Sequence, residues 1–154
     1  MKKINDVNYK KCLSKFVTGI TVICVKTKNK ISGKTVNSFN SLSLNPPLIL
    51  FSLGNYSSDL NVFLNSKYLS INILSKKQKK ISEQFSKNNP NPEGIDFKYG
   101  KNDTALIPNC VANLECRLKD KIKKGDHTIF ICKVLNANFD EKIKPLYYFN
   151  SKYF

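Results

Sequence analysis

The chain has 154 residues, 41% of them hydrophobic and 11% aromatic, which is a globular composition with enough length for one sizeable core. Its formal net charge is +15, and lysine carries nearly all of the positive charge because Arg117 is the one arginine. No apolar run approaches the ~20 residues of a bilayer span, the opening "MKKINDVNYKKCLSKF" lacks a signal-peptide core, and Cys12, Cys24, Cys110, Cys116 and Cys132 form no C-x-x-C pair to build a zinc site; these features predict a soluble, cytoplasmic protein with reduced thiols, no metal and no membrane contact.

In chain order, Asn5 or Asp6 can cap a first helix, on which Tyr9, Cys12, Leu13 and Phe16 share one apolar face. Gly19 follows, and "ITVICV" is a β-branched run that reads as a strand. "KTKNKISGK" is a turn region, so a hairpin is expected, with Thr35 to Leu44 extended beyond it. Leu48 to Leu53, behind two prolines, is apolar enough to predict a strand buried on both faces. Ser57 or Ser58 can cap a short helix striped by Leu60, Phe63 and Leu64. "YLSINIL" (68–74) alternates, with Leu69, Ile71 and Ile73 on one face and Tyr68, Ser70 and Asn72 on the other.

Ser75 can cap a second short helix lined by Gln78, Ile81 and Phe85. Residues 86–104 read as a long polar loop, of a length that is usually functional or mobile. "CVANLECRL" (110–118) sets Ala112, Leu114, Cys116 and Leu118 against Asn113, Glu115 and Arg117. "KKGDH" is a turn, and "TIFICKVLNA" and "PLYYFN" are the last strands. Strands joined by short turns, with few helices and no β-α-β alternation, predict a mainly β fold: a closed antiparallel barrel with short helices outside, in one domain over 1–154. Neither G-x-G-x-x-G nor G-x-x-x-x-G-K occurs, so neither a Rossmann nor a P-loop site is signalled.

Lysine clusters at 76–80 and 119–124 raise the question of nucleic acid. The scarcity of arginine, the residue that reads phosphates and guanines bidentately, argues against it, and abundant Lys, Asn and Ile also suit an AT-rich genome. A positive field would still concentrate small anions such as nucleotide phosphates. More specific is the polar ribbon "TVNSFNSLSLNPP" (35–47), which sets short hydroxyl and amide side chains ahead of a core strand. Such a row can meet the edge of a flat heteroaromatic ring or a phosphate. It can equally be a rim strand whose hydroxyls bond local backbone.

Five segments in register resemble the flavin reductase-like family, whose fold is the FMN-binding split barrel. "FVTGITVIC" (16–24) is similar to its F-x-T-G-V-T-V opening, and "GKTVNSFNSLSLNPPLILFSL" (33–53) to its G-x-T-x-S-S-F-x-S-V-S-x-D-P-P-L-V-L motif. "YLSINIL", "GDHTIFICKVL" (125–135) and "PLYYFNSKYF" match the F-x-V-N-V-L, G-D-H-x-I-F-x-G-x-V and P-L-x-Y segments. The resemblance implies that Thr35, Val36, Asn37 and Ser38, with Ser41, Leu42 and Ser43, lie along the isoalloxazine ring and ribityl chain. It places Ser57 and Ser58 at the flavin phosphate, Asn72 and Ile73 against the flavin from the next strand, and His127 where the nicotinamide stacks. Asn45 replaces the usual Asp before Pro-Pro, and the phosphate turn reads "GNYSSDL", without its usual basic residue and threonine.

The implied activity is an NAD(P)H:flavin oxidoreductase. It would use NADH or NADPH to reduce FMN or FAD for a partner monooxygenase, as a homodimer with the flavin near the subunit interface. Two other readings stand beside it: a flavin-binding electron carrier without nicotinamide turnover, and a basic barrel binding single-stranded nucleic acid. His127 taken alone reads as a turn residue, with Asp126 beside it to fix its tautomer; within the family pattern it orients the nicotinamide.

Overall fold

The computed structural model describes residues 3–28 and 30–154. The first two residues of the N-terminal stretch, and Asn29 in the expected hairpin turn, lie outside the described residues. The elements are α1 (Asp6–Leu13), β1 (Thr18–Gly19), β2 (Thr21–Lys26), β3 (Ile31–Val36), β4 (Asn40–Ser43), β5 (Leu48–Gly54), α2 (Leu60–Leu64) and β6 (Tyr68–Ile73). A 3₁₀ turn (Lys76–Gln78) then leads into α3 (Lys79–Ser86), β7 (Lys98–Tyr99), β8 (Ala105–Leu106), β9 (Ala112–Lys124), β10 (His127–Phe139), β11 (Tyr147–Phe149) and β12 (Lys152–Tyr153).

Seven strands form one antiparallel sheet in the order β3-β2-β6-β9-β10-β5-β4. The sheet curls until β3 packs beside β5, yet no ladder joins them. The result is a barrel split along one seam. Its interior is filled by Ile23, Phe51, Phe63, Leu69, Ile71 and Phe130, among others. Phe51 and Phe130 are direct cross-strand partners, and their rings stack with centroids 5.0 Å apart. A second core, with Val22, Cys24, Leu74, Phe85, Ile107 and Leu146, lies on the other side of β2 and takes in α3. β2 is therefore buried on both faces. The buried thiols are held in protonated form: burial pushes Cys110 and Cys132 up to about 12.

Several sequence expectations change once the layers are in place. β5 is not buried on both faces; Ile49, Phe51 and Leu53 point into the barrel, while Leu48, Leu50 and Ser52 are half-buried. It lies next to the edge strand β4. Conversely β6, which alternates in sequence, buries Ser70 and Asn72 as fully as Leu69 and Ile71, because the second core packs on its polar face. α1 ends at Leu13, short of Phe16, and its apolar side is uncovered: Tyr9 is 54% and Leu13 55% exposed, and Phe16 beyond the helix 74%. Neither Ser57 nor Ser58 caps α2, whose N-cap is Asp59. Among the described residues no helix is long and apolar enough to cross a membrane.

Glu115 belongs to the polar face of β9 in sequence but is buried at 5% exposure. It accepts four hydrogen bonds: from the N–H groups of Lys101 (3.1 Å) and Asn102 (3.0 Å), the Thr104 hydroxyl (2.7 Å) and the Asn136 amide (3.0 Å). Gly100 makes the approach possible, since a Cβ there would fall 2.2 Å from Glu115 Oε1. Part of the long polar loop is thus wrapped around a carboxylate.

Candidate functional site

The seam creates the site. The register of β4 on β5 pairs Asn40 with Leu50 and Ser41 with Ile49. Continued backward, it sets Ser38 opposite Ser52, beyond the end of β4. There a side chain takes over from backbone: Ser38 Oγ accepts the Ser52 N–H at 3.0 Å and donates to the Ser52 C=O at 3.1 Å. Two ladder groups of β5 that would otherwise face an open seam are satisfied. On the far side, the Thr35 hydroxyl donates to the Ser82 C=O of α3 at 2.7 Å. Gly33 lets α3 settle onto β3, for a Cβ there would meet Phe85 Cε1 at 2.5 Å.

Between these anchors runs a groove of about 230 Å³. Lys34, Thr35, Val36, Asn37 and Ser38 form one wall, and Ser52, Leu53 and Gly54 of β5 the other. Tyr56, Ser57, Ser86, Asn88 and His127 close its ends. No carboxylate lines it. Asp59, two residues from Ser57, is turned away, accepting from Lys30 Nζ at 3.3 Å and from the Ser32 hydroxyl at 3.4 Å. Ser57 Oγ is buried with no hydrogen-bond partner, an exception to the usual satisfaction of buried polar atoms.

His127 opens β10 directly opposite Gly54. It follows a two-residue turn in which Gly125 alone takes a positive φ of 58°, the pattern of a II′ hairpin. Two bonds fix this corner to the groove wall: the Asn55 N–H donates to the Asp126 C=O at 2.8 Å, and the Thr128 hydroxyl to Asn55 Oδ1 at 2.8 Å. His127 Nδ1 lies 2.7 Å from Asp126 Oδ1. The hydrogen bond and charge of His127 hold the Asp126 carboxyl below its usual range. An ionised carboxylate can only accept, so Nδ1 donates to it. Tyr56 meets the imidazole edge-on, with centroids 6.5 Å apart.

Of the residues picked out from sequence, the fold brings Thr35, Val36, Asn37, Ser38, Ser57 and His127 together in this groove. Ser41 and Leu42 are exposed and Ser43 half-buried on β4, outside it. Ser58 accepts from the Asn89 N–H at 3.3 Å. Asn72 is fully buried in the second core. It donates to the Val22 C=O (3.0 Å) and Ser70 Oγ (3.1 Å), and accepts from the Ile107 N–H (2.9 Å) and Asn113 Nδ2 (2.8 Å). Its amide is fully engaged by protein, and Ile73, paired with Thr21 and Ala112, is likewise away from the groove.

Lys34, Ser52, Tyr56, Ser86 and Asn88 line the groove without having been picked out. For Lys34 a signal was present: it shares the two-residue period of β3 with buried Ser32 and Val36. Lys76, Lys77 and Lys80 lie instead beside a second cleft shared with Lys142 and Lys144. Residues 119–124 form the exposed outer arm of β9, ending opposite His127.

A split antiparallel barrel with a hydroxyl-lined, carboxylate-free groove at its seam and a histidine at the rim defines a small-ligand-binding barrel. A family profile described as "Flavin reductase like domain" matches residues 13–154, and the chain belongs to that family. It is 35% identical over 133 residues to the FMN reductase (NADH) SmoA of Agrobacterium fabrum, covering 86% of this chain and 76% of the relative. It is 30% identical over 145 residues to the reductase component of 4-hydroxyphenylacetate 3-monooxygenase from Thermus thermophilus, covering 94% of this chain and 93% of the relative. The NADH:FAD oxidoreductase SgcE6 of Streptomyces globisporus, solved in complex with NAD and FAD fragments, superposes with a TM-score of 0.92 at 26% identity, covering 99% of this chain and 95% of that one.

Proposed function

We propose that the protein is an NADH-dependent flavin reductase that binds FMN or FAD in the seam groove and supplies reduced flavin to a partner monooxygenase. The observation that carries this is the groove itself. In a chain of this family, it offers hydroxyls, an amide, backbone edges and an unpartnered buried Ser57 Oγ, with no carboxylate to repel a phosphate. NADH is the donor for which SmoA and SgcE6 are named. The partner oxygenase follows from the Thermus relative, which is named as a reductase component.

Bound flavin supplies the hydride acceptor when nicotinamide is stacked on it. The chain's own residues bind, orient and exclude. Ser38 and Thr35 are tied to β5 and α3, so they hold the groove walls at fixed separation rather than reaching freely for a ligand. His127, tethered by Asp126, presents its imidazole at the rim, where it positions the nicotinamide. The transfer requires no proton from it.

A groove of about 230 Å³ is below the ~300–1,000 Å³ of sites that enclose a ligand. This supports a homodimer in which a second copy completes the site. The exposed apolar side chains Leu42 and Leu44 beside the groove strand, and Val7, Leu13 and Phe16 around α1, are the surface such a dimer would cover.

The test is anaerobic mixing of the purified protein with FMN or FAD and then with NADH. Bleaching of the flavin's visible absorbance at a rate proportional to enzyme establishes the reductase. Tight flavin binding with NADH left unoxidised would establish the electron carrier instead.

A further inference from the structure

The second cleft, of about 930 Å³, shares no lining residue with the seam groove. Two segments far apart in sequence build its charged border. The 3₁₀ turn and the start of α3 carry Lys76, Lys77 and Lys80, and the approach to β11 carries Lys142 and Lys144. Backbone holds the two segments together: the Lys76 N–H donates to the Lys144 C=O at 2.9 Å, and Ser75 forms a bridge with Pro145. Five lysines therefore border one opening, and all five are exposed.

None of the five makes an ion pair among the described residues. Lys79, their neighbour in sequence, does not line the cleft and lies 3.7 Å from Glu83 Oε1. The one carboxylate in the lining, Asp96, already accepts from Lys98 Nζ at 3.2 Å. Glu93, Asp140 and Glu141 flank the lining segments in sequence without entering the lining. Like charges gathered without partners repel one another, so the cleft favours an anionic occupant. Ile81, Ile95, Pro108 and Ile143 also line it, and they are half-buried, deeper than the lysines. Gln78, buried in the lining, has both ends of its amide engaged by protein: Oε1 accepts the Ser75 N–H at 2.9 Å, and Nε2 donates to the Pro108 C=O at 2.7 Å.

Charge on exposed side chains around deeper apolar surface is the anatomy of a protein interface, whereas a small-ligand pocket converges buried polar groups on its occupant. No aromatic residue and no arginine lines the cleft, which removes the stacking and bidentate contacts that hold single-stranded nucleic acid. We propose that this cleft docks an acidic segment of a partner protein, whose carboxylates meet the lysine border and whose aliphatic side chains enter among Ile81, Ile95 and Ile143. The docking site is independent of the flavin-reductase reading, since the two sites have no residue in common. α3 nevertheless joins them: Lys80 and Gln84 line the cleft, and Ser86, at the end of the same helix, lines the seam groove, so a docked partner sits beside the groove.

The probe is a fluorescein-labelled peptide of glutamates around a pair of leucines, titrated by fluorescence anisotropy without flavin present. The wild type is compared with Lys142→Glu plus Lys144→Glu, with Ile143→Ser, and with Lys119→Glu plus Lys123→Glu on the exposed arm of β9, which changes the net charge by the same amount. Docking in the cleft predicts that the Lys142 and Lys144 reversal weakens the peptide by ~10-fold or more, mainly through slower association. Ile143→Ser should weaken it by ~3–10-fold with its salt dependence unchanged. The β9 reversal should stay within ~2-fold, because exposed charges beyond a Debye length are screened. The Lys142 and Lys144 variant should melt with the wild type, since exposed side chains without partners are replaced.

Failure of the wild type to bind the peptide overturns the proposal. Equal losses in the two lysine reversals overturn it too, by assigning the binding to the overall positive field. If a peptide with serines in place of the leucines binds as well, and Ile143→Ser changes nothing, the cleft holds bare anions and docks no segment. Tighter binding of a single-stranded oligonucleotide, lost in the Lys142 and Lys144 variant, makes the cleft a nucleic-acid surface instead. Self-association in sedimentation velocity that Ile143→Ser abolishes gives the cleft to a second copy of this chain and also overturns the proposal. None of these outcomes bears on flavin reduction, which is read separately with NADH.

Discussion

Replacing Ser38 by alanine tests whether the seam is held by a side chain. The hydroxyl makes two hydrogen bonds to one residue, accepting the Ser52 N–H at 3.0 Å and donating to the Ser52 C=O at 3.1 Å. Both are neutral, so each contributes about 0.5–1.5 kcal/mol net, and their joint loss costs about 1–3 kcal/mol. The site is only half-buried, which lets water reach the freed groups and keeps the cost away from the upper end. For a domain of this size 1 kcal/mol moves Tm by about 2–4 °C, so a central loss of ~2 kcal/mol lowers it by about 4–8 °C.

Ser41→Ala is the matched control, because Ser41 is exposed on β4 and its change should stay within ~0.5 kcal/mol. Ser38→Thr, which keeps the hydroxyl, should recover most of the stability. Thermal unfolding followed by far-UV circular dichroism reads all three variants. If Ser38→Ala melts with the wild type and Ser41→Ala, the hydroxyl does not hold the seam and the account of the split is wrong. If Ser38→Ala is destabilised as expected, its flavin affinity should fall as well, since the same bond sets the spacing of the groove walls.

Glu115→Gln should cost about 2–5 kcal/mol in urea unfolding at neutral pH, because an amide NH₂ would confront two of the four donors that the carboxylate satisfies. Burial alone would raise the Glu115 carboxyl, but the bonds from Asn102, Thr104 and Lys101 more than offset it and hold it below the ordinary 4.5. With the folded value depressed, the stabilisation is present above pH 4.5 and is lost as pH falls through the folded value, so the gap between wild type and Glu115→Gln should close in acid; a gap independent of pH would contradict the assignment. His127→Ala should leave flavin affinity within ~2-fold and lower kcat/KM for NADH by ~10–100-fold, or ~1.4–2.8 kcal/mol. Stopped-flow reduction at the wild-type rate would reduce His127 to a turn residue. The net charge of +15 should make the second-order rate for NADH fall as salt rises toward ~0.15 M, and a flat profile would show that the lysines do not steer the anion.

What could be read from the residues, and what could not, divides along a physical line. Strand periods and turn chemistry are local: "TVICV", "YLSINI" and the Gly125 hairpin become β2, β6 and the β9–β10 turn. What covers a strand is not local. The polar face of β6 looks solvent-facing in sequence, and only the packing of α3, β8 and the 105–110 segment on that side turns Asn72 into a buried junction for Val22, Ser70, Ile107 and Asn113. The same non-locality buries Glu115 under Gly100 and leaves Phe16 in the open.

The polar ribbon raised a choice between ligand contacts and local backbone bonds, and the fold divides it residue by residue. Ser38 and Thr35 give their hydroxyls to β5 and α3, while Ser57 Oγ keeps its bonding capacity unspent. A hydroxyl already bonded within the protein fixes where a ligand lies by fixing the wall. A hydroxyl without a partner offers the ligand a bond. On that distinction the groove's free bonding capacity for a flavin nucleotide lies at Ser57, and its geometric precision at the Thr35–Ser38 wall. Substitutions at the first should change which flavins bind, and substitutions at the second should change how every flavin binds.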